Sequence, residues 1–424
     1  MTECVRDFLI RYEMLDPSFD IHASAKKMCS EMERGLRGET SSYPMIPTYL
    51  KTTGKIPEGE YVAVIDAGGT NFRSALAHFE NGRCVEERVK KTGMPGIGKA
   101  AAWEEFVSFV ADAIEDLMPM TDRIGFCFSY SADITPEIDG RVNCIDKEVT
   151  IIGCEGKLVG KSLCEELARR GFPGKRAVIL NDTAAVQLGG MAKHLHDGYD
   201  TCFGQVSGTG TNTCCTVPGE QIVKLGADTY DMIVNLECGM YDGLSQGVFD
   251  RELDLDSHNP GQKRFEKMTA GVYLGELCRR ALRQAADDGL LSPACREKIA
   301  ALPHIDSAAP DAWACGERLD ELNATEQDKV IISEISRFLF ERSAKLMCAN
   351  LTAMAELTDA GKTGRAAVYA EGSLVQKNHI YRPALSRLLE ENLRKELGRD
   401  VTLVVEEDTT LPGAAAAALL NIHF

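Results

Sequence analysis

The sequence holds no CxxC pair, although it carries fifteen cysteines. Their number is odd and their spacing scattered, and the one adjacent pair is Cys214-Cys215. The N-terminus, MTECVRDFLIRYEMLDP, lacks the uninterrupted apolar core of a signal peptide. Together these features exclude a secreted disulfide framework and point to reduced thiols in a cytoplasm. No apolar run approaches the ~20 residues of a membrane span. The tail LPGAAAAALL is too short and reads as a terminal helix. There is no basic block either. The chain has 47 Lys+Arg against 64 Asp+Glu, a formal charge of −17. That balance disfavours nucleic acid and anionic membrane surfaces as partners, because both are bound through Lys and Arg. GxxxxGK[ST] and a GxGxxG opening a helix are missing, so the usual P-loop and dinucleotide folds are disfavoured. Neither HExxH nor a Cys/His metal spacing occurs, so a structural zinc is not expected. The eight histidines, among them His194, His196 and His258, are read as surface or core residues.

What remains is an ordinary globular composition, 44% hydrophobic and 26% charged, which argues against disorder. At roughly 150 residues per domain, 424 residues suggest two or three domains. Residues 1–40 read as two amphipathic helices separated at Asp16-Pro17, and SSYPMIPTYLKTTGKIPEGE reads as a connector. Tyr61–Ile65 and Phe72–Phe79 form strand patterns on either side of a turn, Asp66-Ala67-Gly68-Gly69-Thr70. A helix follows over WEEFVSFVADAIEDLM, a strand over Arg123–Tyr130, a helix over Lys161–Arg170 and a strand over Ala177–Leu180. FGQVSGTGTNTCCTV repeats the strand–turn–strand pattern, and Ile233–Glu237 is another strand. FEKMTAGVYLGELCRRAL reads as one helix and 327–355 as another. Ala366–Tyr369 is a strand running into Glu371-Gly372-Ser373, and VTLVVEED precedes the terminal helix. Residues 286–326 carry no clear pattern. The result is an α/β chain with two similar units, one opening at Asp66 and the other at Ser207.

Each glycine turn has a chemical use. Paired glycines let backbone amides approach an anion closely and form a concavity for phosphate oxygens. In the first turn Thr70, Asn71 and Arg73 add donors, and Asp66 is a hard oxygen ligand suited to Mg²⁺. The second turn, Ser207-Gly208-Thr209-Gly210-Thr211-Asn212, has the same content. Taken singly, each is equally a plain hairpin; two about 140 residues apart suit a polyphosphate held from both sides of a cleft. Asn181-Asp182-Thr183 ends a strand. Asp182 there is placed to act as a general base, while either Asn181 or Asp182 is equally suited to cap the helix TAAVQLGGMA. Glu237 ends an apolar strand and Glu266 begins a helix, positions where polar binding groups gather in α/β proteins.

In this order the pieces resemble the hexokinase–glucokinase family, within the actin-like ATPase superfamily of sugar kinases. The resemblance runs from about Pro44 to Gly413 through IDAGGTNFR, IGFCFSY, LNDT, SGTGTN, VNLECG, PGQKRFEKMTAGVYLGEL, EGS and EEDTTLPGAA. It implies an ATP-dependent hexokinase that phosphorylates the 6-hydroxyl of glucose, with mannose or fructose as further substrates, and that feeds glycolysis. It implies Asp182 as the base, with Ser129, Lys147, Asn181, Asn212, Glu237 and Glu266 on the sugar. Asp66, Gly68, Gly69, Thr70, Asn71, Arg73, Gly208, Thr209 and Gly210 would embrace the phosphates. Mg²⁺ would be held from Asp66 through water, and Gly372 and Ser373 would line the adenosine side. Departures from the family pattern at Ser131, Asp146, Cys238, Val272 and Pro412 point to a divergent, bacterial branch.

The implied architecture is two actin-like (ribonuclease H-like) α/β domains flanking a deep cleft. The small one would take 53–180 plus 412–424 and the large one 1–52 plus 181–411. A cytoplasmic monomer or homodimer is expected. The alternatives are a non-catalytic hexose sensor on the same scaffold and an actin-like polymer or chaperone-type ATPase. Retention of Asp182 and both phosphate turns argues against the first, and LNDT with the two glutamates argues against the second.

Overall fold

A computed structural model describes residues 1–145 and 149–423. Lys147 and Asp146, singled out above, lie outside the described residues. Contacts divide the chain into two units. The first comprises Met1–Pro44, Val206–Asn212 and Glu237–Val405; the second comprises Met45–Gln205, Thr213–Leu236 and Glu406–Phe424. This partition by contacts groups 181–205, 213–236 and 406–411 with 45–180, whereas the domain bounds expected above cut the chain at Asn181.

The second unit is built on a five-stranded sheet in the order Arg176–Leu180, Arg123–Phe128, Val62–Gly68, Asn71–Glu80, Arg83–Gly93. The first three strands are parallel, and Asn71–Glu80 runs antiparallel to both of its neighbours. Side chains alternate across the pleat. Ala63, Ile65 and Ala67 enter one apolar cluster with residues of the helices Trp103–Ile114 and Val159–Arg169. Val62 and Val64 enter another, with the helices Asp182–Lys193 and Thr410–Asn421. The terminal helix carries a run of five alanines where the backbones meet: a Cβ on Gly413 would lie 2.0 Å from the Ala185 carbonyl oxygen, and one on Gly125 2.1 Å from that of Ala414. The expected terminal helix is therefore a close-packed core element. Arg83–Gly93 had no strand pattern, since RCVEERVKKTG is mostly charged. It is the exposed edge of the sheet, where charge discourages further pairing.

The first unit is mostly helical. Glu3–Arg11 and Ile21–Arg37 form where the amphipathic spacing placed them; Asp20 Oδ1 caps the second by accepting from the Ala23 amide at 2.6 Å. Its longest helix, Glu326–Leu357, is capped by Thr325 and Asp328. Its last three turns are buried nearly all round, as a helix at the centre of a bundle must be. Ala366–Glu371 and Val401–Val405 form a parallel pair. The single helix expected over Phe265–Leu282 is two, Arg264–Thr269 and Gly271–Asp287. The break falls at Ala270, whose backbone is extended (ψ 146°), and frees the Gly271 amide to donate to the Gly208 carbonyl at 2.8 Å. The unassigned stretch contains the helices Pro293–Ala300 and Ala308–Ala314. Among the described residues no helix is long and apolar enough to cross a membrane, and all fifteen cysteines are free thiols.

Candidate active site

In the second unit the strand register assembles one face. Asp66 pairs with Cys127, and Cys127 with Leu180, across three parallel strands. Gly68, Ser129 and Asp182 each lie two residues beyond that row. They therefore share the carboxyl end of the sheet, where α/β proteins bind ligands. A Cβ on Gly68 would sit 3.4 Å from Ser129 Oγ and 3.6 Å from Asp66 Oδ1, so those two oxygens flank the same backbone. Cys127, fully buried behind the face, has its thiol pushed well above the usual range, first by burial and then by the charges of Asp66 and Asp182.

The first glycine turn is shorter than expected. Asp66, Ala67 and Gly68 remain in the strand, paired with Arg73, Phe72 and Asn71, and only Gly69 and Thr70 make the bend. Gly69 has φ +55°, the left-handed conformation glycine tolerates, with open space where a side chain would go. The Gly69 carbonyl accepts from the Tyr130 hydroxyl at 2.6 Å, and Thr70 and Asn71 are exposed beside it.

Arg73 is oriented toward Asp66. Its Nε and Nη2 donate to Asp66 Oδ2 at 3.1 and 2.8 Å, and Thr410 Oγ1 adds a third donor at 3.2 Å. Arg73 Nη1 also holds Asp408 at 2.7 Å, and its Nη2 bonds Thr410 Oγ1 at 2.7 Å. Burial would lower the pKa of this guanidinium, but the two carboxylates outweigh it and raise it. Thr410 and Asp408 were not anticipated as partners; EEDTT gave no sign that they face Asp66.

Asn181 and Asp182 divide the two roles left open for them. Asn181 Oδ1 caps the helix, accepting from the Ala184 amide at 3.1 Å. Asp182 is the first helical residue, and its Oδ1 accepts from the Thr183 amide at 2.7 Å. Capping by Asn181 fixes the backbone that carries the Asp182 carboxylate.

In the first unit two clusters form. Asn212 Nδ2 donates to Glu237 Oε1 at 3.1 Å, and the Cys238 amide donates to Asn212 Oδ1 at 3.3 Å. Glu237 itself has φ +53°, a strained backbone for a non-glycine residue. Glu266 is reached from the same hairpin: its Oε2 accepts from the Thr211 amide at 3.4 Å, and its Oε1 pairs with Lys263 Nζ at 3.5 Å. Asn212, Glu237 and Glu266, separate in sequence, are thus brought together, and Lys263 joins them unannounced. The second cluster is made of backbone. A Cβ on Gly208 would lie 3.1 Å from the Ser373 amide nitrogen, one on Gly271 2.7 Å from the Gly208 carbonyl, and one on Gly372 (φ +122°) 2.5 Å from the Ser207 carbonyl. Two segments, at Gly271 and at Gly372-Ser373, converge on the Gly208-Thr209-Gly210 turn, and glycine at these points permits it. Gly271 was quoted within a longer segment but not singled out; its signal is a glycine between two helical patterns.

An α/β chain with one acidic strand-end face, one polyol-suited cluster and one glycine cradle is built as a sugar kinase. Comparison with known proteins gives the same class. Two family models, both described as hexokinase, match residues 10–191 and 202–420. Hexokinase-1 of Saccharomyces cerevisiae is 27% identical over 99% of this chain and 94% of its own length. Hexokinase-3 of Rattus norvegicus is 30% identical over 92% of this chain, which spans only 44% of that longer protein. The hexokinase from Schistosoma mansoni, solved in complex with glucose, superposes with a TM-score of 0.77 at 22% identity, covering 98% of both chains. The chain belongs to the hexokinase family.

Proposed function

We propose that the chain transfers the γ-phosphate of Mg-ATP to the 6-hydroxyl of a hexose, glucose foremost, with Asp182 as the general base. The observation that carries this reading is the convergence of Asn212, Glu237 and Glu266. Sugar hydroxyls both donate and accept, so an amide beside two carboxylates offers the matching groups. Asn181, Ser129 and Lys147 complete the sugar contacts in this proposal.

In the reaction, Asp182 accepts the proton of the 6-hydroxyl as its oxygen forms a bond to the γ-phosphorus. The bond from that phosphorus to the bridging oxygen breaks, and ADP leaves with the electron pair. Such transfer needs positioning and charge neutralisation more than covalent chemistry. The Gly208–Gly210 turn with Thr209, and Gly68–Asn71, would supply backbone and hydroxyl donors to the phosphates. Gly372 and Ser373 would border the nucleoside. Asp66 fits a magnesium ion held through water: it is a hard oxygen donor, with Oδ2 engaged by Arg73 and Oδ1 on the Gly68 side. When bound, the ion neutralises phosphate charge. Arg73 in this reading holds Asp66 in place.

The odd number and scattered spacing of the cysteines in the sequence support a cytoplasmic setting. The test is ADP release with Mg-ATP across glucose, mannose and fructose, with Asp182→Asn beside the unaltered chain. Sugar-dependent turnover is expected, falling by ~10²–10⁴-fold in the variant with sugar binding retained. Glucose binding without any phosphorylated product would favour a sensor and overturn the proposal.

A further inference from the structure

Outside the residues used so far, the first unit brings together three groups of metal-ligating type. Asp311, Cys315 and His379 place one ligand atom each within 4.8 Å of one another. Asp311 and Cys315 are four residues apart along Ala308–Ala314 and its C-terminal residue, so they share one helix face. His379 comes from a distant part of the chain. Its position is fixed by Asn378, a buried residue whose Oδ1 accepts from the Ile380 and Tyr381 amides at 3.0 and 2.7 Å.

Asp311 already organises the pair. Its Oδ1 accepts from the His379 amide at 3.0 Å, and its Oδ2 lies 2.8 Å from His379 Nδ1. The carboxylate and the ring nitrogen already face each other, and a cation would take the place of the proton between them. Cys315 Sγ is exposed and makes no hydrogen bond among the described residues. Burial first, then the carboxylates of Asp311 and Glu317, raise its thiol pKa against the opposing charge of Arg337. A cation placed here would meet a thiol, an imidazole and the Asp311 carboxylate, at the C-terminal end of a helix whose dipole favours positive charge.

We propose that Asp311, Cys315 and His379 form a binding site for a zinc-class divalent cation. Sulfur with nitrogen selects a borderline-soft ion rather than magnesium or calcium. Tetrahedral zinc sets its ligand atoms about 3.3–3.8 Å apart, so side-chain rotation of roughly an ångström closes the present spacing. Binding displaces the Cys315 proton to solvent and leaves a fourth position for water. The site ties the helix Ala308–Ala314 to the segment that runs back through Ser373–Lys377 to Gly372. It is independent of the phosphoryl-transfer reading.

The test uses the full chain, stripped with a chelator and kept reduced without thiols. Titration with Co²⁺ should give one equivalent with a thiolate-to-metal charge-transfer band in the near ultraviolet, and Zn²⁺ should displace it. Cys315→Ser should abolish the band. His379→Ala and Asp311→Asn each remove one ligand and should each weaken binding by at least ~100-fold, more than the loss of an outer-shell partner. Cys4→Ser and Cys144→Ser, which alter the other exposed cysteines, should leave it unchanged. Circular dichroism checks that each variant is folded; His379 is 73% exposed, so its variant keeps the test available if Cys315→Ser does not fold. No saturable binding, or a band that survives in both Cys315→Ser and His379→Ala, overturns the proposal.

Discussion

The carbonyl oxygen of Ser207 lies 2.5 Å from the point where a side chain on Gly372 would begin. That distance is closer than any real Cβ contact, and the obstructing atom is backbone. Gly372→Ala must therefore separate the strand end at Glu371 from the Gly208 turn. Gly69 is the contrast, because a Cβ there meets nothing within 4 Å and only the left-handed backbone resists it. Gly69→Ala is expected to cost about 1–2 kcal/mol. Gly372→Ala should cost more, about 2–4 kcal/mol by combining backbone strain with overpacking. It should also raise the KM for ATP more than the KM for hexose. Urea unfolding and steady-state kinetics on both variants check the ordering; equal costs would show that the 207–372 contact relaxes freely.

A second expectation concerns Arg73, which holds Asp66, Asp408 and Thr410 at once. Arg73→Met removes two of the three donors on Asp66 Oδ2. The loss should be about 1–3 kcal/mol, since the pair is only partly exposed. Arg73→Lys should recover little of it, because one ammonium cannot reproduce a planar fork that serves three acceptors. Denaturant midpoints of the two variants decide this. Recovery by lysine to the unaltered level would mean that charge alone holds Asp66.

These relationships mark how far the sequence could be read. The strands around Asp66 and Cys127 were legible because β-branched and apolar residues run unbroken to a polar end. The cluster of Asn212, Glu237 and Glu266 was legible only through a family resemblance, since no local pattern says that residues from three segments converge. The turn at Gly69 was drawn too long: Asp66–Gly68 looks like turn chemistry, yet pairing with Asn71–Arg73 keeps it in the strand. The break at Ala270 was invisible, because alanine favours helix and the cause lies at the Gly208 carbonyl, some sixty residues earlier. Arg83–Gly93 was missed for the opposite reason, its charges being suited to an edge rather than to a core.

pH offers a third test. His194 Nε2 and Nδ1 each lie 2.6 Å from a carboxylate, Glu406 and Asp197, with Lys193 also reaching Glu406. Burial alone would lower the histidine pKa, but the bonds to Glu406 and Asp197 outweigh it and raise it. A raised folded pKa means that the charged form is favoured by folding. The stabilisation is complete below the unfolded value of about 6.5 and is lost as pH rises through the folded value. The stability difference between the unaltered chain and His194→Gln should therefore be largest near about pH 6 and shrink toward about pH 9. Urea midpoints across that range measure it. A difference that grows with pH would reverse the assigned sign.

The last expectation follows from a buried charge. Lys267 is 1% exposed and donates to Asp254 Oδ1 at 2.5 Å and to the Asn259 carbonyl at 2.8 Å. Asp254 in turn accepts from the Gly261 amide at 2.9 Å. One ion pair thus closes the 254–261 loop onto the helix Arg264–Thr269, which carries Glu266 in its first turn. Lys267→Met has similar length but leaves Asp254 buried without its counter-ion, so about 3–5 kcal/mol should be lost. Asp254→Asn combined with Lys267→Met removes the orphaned charge and should regain much of that stability. Because the helix is displaced rather than Glu266 altered, the hexose KM should rise in the single variant and return toward normal in the double. A hexose KM that is unchanged in Lys267→Met would separate this ion pair from the placement of Glu266.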